Sequence, residues 1–249
     1  MGVHAQVAAE PHEGGPSGVR NGGPPGSRRG GDVRPYSVRP MAEVLERFPL
    51  FPLGLVLLPH EVVPLHIFEE RYKAMIAECL AEEREFGIVW LSGGGLREVG
   101  CAAAVAKVLD RAEDGRMNIL VEGTRPFRLL RRIDDLVYPA GDVELLEDRE
   151  AQIDPEVDAA VRERYADVVE RATDERPGTP ELRTLDAHRM AATLDLAAPA
   201  KQELLELRTE EDRLRSVRSL LAETLDRLDY AERAGEVARG NGRARPRPP

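Results

Sequence analysis

Prolines set the first constraint on this chain. From Phe48 to Leu65 it reads Phe-Pro-Leu-Phe-Pro-Leu-Gly-Leu-Val-Leu-Leu-Pro-His-Glu-Val-Val-Pro-Leu, with prolines at 49, 52, 59 and 64. Proline lacks a backbone donor and clashes with the preceding helical turn, so a segment so densely punctuated is a poor helix. Its apolar runs are read as extended chain and turns. The pattern then changes at once. From Phe68 to about Glu83 the apolar residues are Phe68, Tyr72, Met75, Ile76, Cys79 and Leu80. Spacings of three and four place them on one face of a helix.

Strand signals follow. Phe86-Gly87-Ile88-Val89-Trp90-Leu91 is a short buried strand, and Ser92-Gly93-Gly94-Gly95 is a loop. Ala102 to Asp110 and Arg116 to Glu122 form a hairpin around Asp114-Gly115, a dipeptide suited to a turn with positive φ. Along its second arm Met117, Ile119 and Val121 alternate with Asn118, Leu120 and Glu122. Leu120 alone breaks the apolar-in, polar-out pattern of a half-buried strand. Arg125 to Ile133 and Val137 to Leu146 supply two further strands. Several strands with one early helix predict a small, closed or strongly curved sheet.

Residues 154–234 change character. Asp154-Pro155 and Thr179-Pro180 are cap-then-proline helix starts. Arg176-Pro177-Gly178 separates the helices they open, and Pro199 interrupts before Lys201 to Arg208. Thr209-Glu210-Glu211-Asp212 resembles a capping box. Leu214, Val217, Leu221, Leu225 and Leu228 then form one apolar stripe, so a bundle of about four helices is predicted.

Composition narrows the function classes. The 249 residues are 42% hydrophobic but 4% aromatic, so the core is mostly aliphatic; 32% are charged, and the net charge is −10. A general nucleic-acid binder needs a basic face to displace counterions from phosphate. Arg125, Arg128, Arg131 and Arg132 form a basic cluster, yet residues 41–150 hold 13 basic against 21 acidic residues. Nucleic acid is therefore not the expected partner, and these arginines are read as salt-paired. Cys79 and Cys101 lie 22 positions apart with no CxxC, and are read as buried, inert thiols of a cytoplasmic protein. No apolar run approaches the ~18 residues that span a bilayer. Residues 1–40 and 235–249, rich in Gly, Pro and Arg, are expected to be disordered tails. The folded pattern begins at Met41, itself a candidate start.

Catalytic signatures are missing. His60-Glu61-Val62-Val63-Pro64 opens like a zinc-protease HExxH, but Pro64 stands where the second histidine belongs. A P-loop needs Gly-Lys-Ser/Thr, whereas Lys73, Lys107 and Lys201 follow Tyr72, Ala106 and Ala200, and none precedes Ser or Thr. Gly93-Gly94-Gly95 lacks the spacing of a dinucleotide fingerprint. Glu69-Glu70 and Glu82-Glu83 diverge by about 100° on a helix and read as solvated. No metal, cofactor or catalytic residue is expected.

Three ordered blocks carry a family resemblance. The first is the proline-punctuated run from Phe48 to Tyr72. The second is Glu98-Val99-Gly100-Cys101-Ala102. The third is Asp114-Gly115-Arg116-Met117-Asn118-Ile119-Leu120-Val121-Glu122-Gly123-Thr124-Arg125-Pro126-Phe127. Together they resemble the N-terminal, substrate-binding domain of Lon-type proteases, here standing without ATPase or peptidase modules. The resemblance implies an α+β fold: a PUA-like small β-barrel over 41–150 with one early helix, followed by a helical subdomain over 151–234. It also implies a non-catalytic module that binds unfolded or client polypeptides, as an adaptor or regulator of proteolysis, with a protease as a further partner. Leu57, Leu58, His60, Arg125 and Phe127 are the candidate polypeptide-binding residues. The run Leu55 to Leu58 has a second reading, as core. The alternatives in function are an RNA-binding PUA-like module, favoured by an unpaired patch at Arg125 to Arg132, and a small hydrolase, favoured by a pocket of convergent titratable groups. Client and oligomeric state are left open.

Overall fold

The computed structural model describes residues 43–241. Strands β1 (Val44–Leu53) and β2 (Val62–Ile67) precede helix α1 (Glu70–Ala81). Strands β3 (Phe86–Ser92), β4 (Gly95–Leu96), β5 (Val99–Arg111), β6 (Met117–Ile133) and β7 (Ala140–Leu145) follow. The remainder is helical: α2 (Pro155–Thr173), α3 (Thr179–Leu182), α4 (Ala187–Ala192), α5 (Ala198–Glu206) and α6 (Glu210–Asn241).

Seven strands form one mixed sheet in the order β1-β7-β6-β5-β3-β4, with β2 on β6. β1 also pairs in parallel with β3, so the pairings β1-β7-β6-β5-β3 return to their start. A cluster of Phe48, Leu50, Val89, Ala102, Phe127, Val143 and Leu145 draws on all five of these strands. The prolines of β1 fit because it changes neighbour midway. Val44–Pro49 pair with β7, and Leu50–Leu53 with β3. Each proline then has a strand on one side only, the setting in which a missing N–H is tolerated.

The strands expected at Arg116–Glu122 and Arg125–Ile133 are one strand, β6, of 17 residues. It is continuous because β5 pairs with it from Met117 to Arg128, across the point where its other edge passes from β2 at 117–122 to β7 at 127–133. Gly123 lies at that handover. A Cβ there would sit 2.1 Å from the Leu58 carbonyl oxygen, so what this position demands is space. The turn after Leu58 locks onto it: His60 N donates to Gly123 O at 2.7 Å, and Gly123 N to Glu61 O at 2.9 Å. The Glu61 carboxylate accepts from Leu58 N at 3.0 Å and pairs with Lys201 of α5.

Tyr72, Met75, Ile76 and Cys79 form the buried face of α1. Phe68, expected on that face, precedes the N-cap Glu69 and is 58% exposed. Asp154 caps α2 by accepting from Glu156 N, with Pro155 in the first turn. In α3 the cap is Gly178, and Thr179 is already helical. α4 lies outside the helices that the sequence predicts; Asp186 caps it through the Arg189 N–H. Thr209 Oγ1 accepts from Asp212 N at 3.1 Å at the start of α6. α2 and α6 lie side by side in the same direction, joined by Asp154–Glu211 at one end and Arg171–Asp229 at the other. Leu214, Val217 and Leu221 of the α6 stripe are buried. The tail expected from Gly235 overlaps α6, which continues to Asn241 because Ala, Glu and Arg sustain a helix around Gly235 and Gly240. The rest of that tail and the arm at 1–40 lie outside the described residues. No described helix is long and apolar enough to cross a membrane.

Two predictions follow from this packing. Gly123→Ala forces a carbonyl–methyl clash and is expected to cost about 1–3 kcal/mol in chemical denaturation, the scale of core overpacking. Gly54→Ala, where a Cβ meets nothing within 4 Å, is the neutral control. The second concerns His188 on α4, which is 8% exposed with its Nε2 unbonded. Burial, and then the nearby Arg213, lower its pKa from 6.5 to about 4. The unfolded chain therefore binds a proton that the folded chain refuses. Stability is fully present above pH 6.5 and declines as pH falls toward 4. Between pH 7 and 4.5 the wild type should lose about 2–3 kcal/mol more than His188→Leu in paired denaturant titrations; equal losses would contradict this.

Candidate functional site

Side-chain alternation gives the β2–β6–β5 region two unlike faces. Leu65, Ile67, Met117, Ile119 and Val121 point into the core. Val62, Pro64 and His66 of β2 point outward. In register, Val62 stands opposite Glu122, Pro64 opposite Leu120 with Lys107 beyond, and His66 opposite Asn118 with Asp110 beyond. Val62 is 51% exposed, and Phe68 follows directly after the strand. His66 Nδ1 lies 2.7 Å from Asn118 Oδ1, and the Phe68 ring stacks on the imidazole at 5.8 Å between centroids. The fixed imidazole thus displays the phenyl ring to solvent. Val62, Pro64, Leu120 and Phe68 form an apolar strip with Lys107, Asp110 and Glu122 at its margin. Past Ala104, the hairpin arm of β5 is also exposed, with Leu109 in solvent and Val108, opposite Ile119, on the other face. Lys73 of α1 anchors the hairpin tip, donating to Asp114 O at 2.8 Å. Exposed apolar residues gathered in one patch mark binding surfaces more often than isolated ones do.

The five residues expected to bind polypeptide are not brought together. Leu57 and Leu58 are 1% and 0% exposed. They fill the core shared by sheet and helices, because the turn onto Gly123 drives them inward. They offer no surface to a client, and their reading as core is the one the fold adopts. Phe127 is buried in the other cluster, edge-on to Phe48 at 5.8 Å. Gly87 and Gly100 flank it so closely that a Cβ on either would lie 2.6 Å from its ring. His60 sits at the sheet–helix junction with φ 67°, its Nε2 3.8 Å from Asp186. Arg125 alone is well exposed, and it is paired with Glu43 and Glu85 at 3.5 and 3.4 Å. The residues that do form an outward apolar face, exposed Val62 and Phe68 with half-buried Leu120, leave one trace in the sequence: the broken alternation at Leu120.

The basic strand is neutralised along its length. Arg128 meets Glu144 at 3.8 Å, Arg131 meets Asp142 at 2.6 Å, and Arg132 meets Asp134 at 3.4 Å. The Asp142 carboxyl is held below its usual range by the Arg47 backbone N–H and then by Arg131. A phosphate chain would have to displace these carboxylates. Glu61, in the HExxH-like stretch, is occupied by Leu58 N and Lys201. Among the described residues no three His, Cys, Asp or Glu side chains are grouped to hold a metal. Cys79 and Cys101 are free and buried. Burial pushes the Cys79 thiol up to about 11 and Cys101 higher still, so neither is a ready nucleophile. An open cleft of about 420 Å³ between α5 and α6 is lined by Leu196, Ala200 and Leu220 with Asp195, Glu223 and Asp226; its lining includes no His, Cys, Ser or Thr.

Comparison with known proteins agrees with this architecture. The family profile of the ATP-dependent protease La (LON) substrate-binding domain matches residues 47–223. The Lon protease of Anaeromyxobacter dehalogenans is 25% identical over 210 residues, which cover 77% of this chain and 25% of that protein. The Lon protease of Paraburkholderia phytofirmans is 26% identical over 204 residues, covering 74% of this chain and 25% of that one. This chain thus spans about a quarter of the length of the Lon proteases it matches. Among solved structures, a Lon N-terminal domain protein from Xanthomonas campestris superposes with a TM-score of 0.54 at 27% identity, covering 72% of this chain and 98% of its own. The N-terminal domain of Mycobacterium avium complex Lon protease gives 0.54 at 21% identity, with the same coverages, and supports the fold alone. The match runs from β1 through the sheet and all the helices as far as the middle of α6, and on that extent the chain belongs to the Lon substrate-binding domain family.

Proposed function

We propose that this protein is a non-catalytic module that binds unfolded or client polypeptides through the outer face of β2 and β6. The observation that carries the reading is the strip of exposed Val62, Pro64 and Phe68 beside half-buried Leu120, on strands whose other face turns Leu65, Ile67, Met117, Ile119 and Val121 into the core. The name of the matched family, a substrate-binding domain, points to the same class of ligand. In this reading the ring of strands is a PUA-like barrel, and α2 to α6 form a helical bundle braced against it. The biological role is that of an adaptor or regulator of proteolysis acting with a partner protease in the cytoplasm. Free, buried cysteines suit a reducing compartment. The ion-paired arginines of β6 support polypeptide over RNA.

The test is a double substitution on this face, at exposed Phe68 and half-buried Leu120. Fully burying a side chain of this size contributes about 1.5–3 kcal/mol. Phe68→Ser with Leu120→Ser should therefore weaken binding of reduced, carboxymethylated α-lactalbumin about tenfold or more in fluorescence anisotropy. The melting temperature should stay within a few degrees of wild type. A folded double variant with undiminished affinity would move the binding surface elsewhere.

A further inference from the structure

We infer that the free edge of β2 is a strand-docking site, which takes an extended polypeptide segment as an added strand beside Val62–Ile67. The inference rests on the polypeptide-binding reading above and specifies how the chain is held.

The ladder parity fixes which backbone groups are free. Gly123 N donates to Glu61 O at 2.9 Å and His60 N to Gly123 O at 2.7 Å, so His60 and Glu61 together oppose Gly123 as a bulged hydrogen-bonded pair. In an antiparallel ladder such pairs alternate with non-bonded ones. The pairs at 63 and 121, 65 and 119, and 67 and 117 are then bonded, and those at 62, 64 and 66 are not. Pro64, which has no N–H to give, falls on a non-bonded position as this parity requires. The carbonyls of Val62, Pro64 and His66 and the N–H groups of Val62 and His66 therefore face away from β6. No second strand pairs with β2 among the described residues. The side chains of Val62, Pro64 and His66 are all exposed.

An edge of this kind selects its occupant by hydrogen-bonding pattern. It matches the backbone of any extended segment, and six residues of strand span about 20 Å. Side chains on the outer face of the added strand would lie against Val62, Pro64, His66 and Phe68. The preferred ligand thus carries an apolar residue at every second position, as strands released from unfolded proteins do. A second copy of this edge is the poorer partner. Antiparallel pairing of two β2 strands brings two prolines near the centre and forfeits a donor from each, whereas an ordinary segment meets one such gap. Proline on an edge strand is a recognised bar to self-association.

The experiment compares His66→Pro with His66→Val, using reduced, carboxymethylated α-lactalbumin as the probe. Both variants lose the imidazole, and only the proline variant loses the outward N–H. Because Leu65 and Ile67 hold the ladder to β6, both variants should stay folded, which circular dichroism and thermal melts report. His66→Pro is expected to bind about fivefold more weakly than His66→Val, the scale of one hydrogen bond. In the wild type, saturating probe should slow amide exchange at Val62 and His66 at least tenfold, as read by NMR, while Leu65 is protected with or without it. Equal affinities of the two variants, or unchanged exchange at Val62 and His66 with the probe bound, would overturn strand docking and leave polypeptide binding intact. Failure of the wild type to bind the probe would overturn both. Protection that rises with protein concentration in the absence of probe would assign the edge to a second copy and equally overturn the proposal. Should His66→Pro unfold, the exchange measurement on the wild type decides alone.

Discussion

The contact between the Leu58 carbonyl and Gly123 is the constraint on which the rest of the structure depends. A backbone oxygen lies where any other residue would have its Cβ. The two reciprocal bonds of His60 and Glu61 with Gly123 hold the approach closed. Because the turn is clamped, Leu57 and Leu58 must enter the core, and β2 must leave along the first half of β6. The handover from β2 to β7 on the edge of β6 occurs beside this point, so the same glycine decides where one pairing ends and the next begins. His60 adopts a left-handed conformation to make the turn, at a cost of order 1–3 kcal/mol for a non-glycine residue. The clamp offsets that cost.

The junction also joins sheet to helices. Glu61 is nearly buried, and a buried carboxylate without a partner is strongly unfavourable. Leu58 N and Lys201 satisfy it, and Lys201 belongs to α5. One residue further on, Gln202 donates to Val99 O at 3.1 Å, tying α5 to β5 as well. Farther along the helices, Arg213 is 2% exposed and is held by Asp148 and Glu210. Polar groups that demand partners thus tie α5 to the sheet and α6 to the segment that follows β7. They fix the orientation of the two layers, where aliphatic packing alone would permit sliding.

How much of this was readable from the residues depended on how local the determinant was. α1 followed from its 3.6-residue periodicity, and the β5–β6 hairpin from alternation around Asp114-Gly115. Ion pairing of the β6 arginines followed from the surplus of acids. Phe68 reads as helical because it lies four residues before Tyr72 and shares the helical phase, while Glu69, the true cap, has no capping side-chain bond to announce it. β6 was split at Gly123-Thr124 because a glycine inside a strand looks like a break, and its purpose is a contact with a turn 65 residues earlier. α4 is too short to show a period. Leu57 and Leu58 were ambiguous on the same grounds: a run of four apolar residues cannot say which way it faces until the turn beside it is fixed. The exposed strip was the least readable element, since it depends on which pairs of β2 and β6 fall opposite each other.

The proposed grip on a client is weak by its own energetics. Each backbone hydrogen bond to the β2 edge is worth a net of about 0.5–1.5 kcal/mol, since water is displaced from both partners. Phe68, Val62 and Leu120 are already partly covered, so docking gains less than the about 1.5–3 kcal/mol of full burial for each. Against these gains stands an association cost of about 4–15 kcal/mol, before any ordering of the client. The remainder is a few kcal/mol, which corresponds to dissociation constants nearer millimolar than nanomolar. Backbone pairing beside an apolar strip also discriminates little among sequences, because every residue except proline carries the same donor and acceptor. Such a surface recognises a state of the chain, extended and with alternate apolar residues uncovered, more than any particular sequence. Tight capture then requires a second point of attachment, so that the next binding step proceeds at high effective concentration.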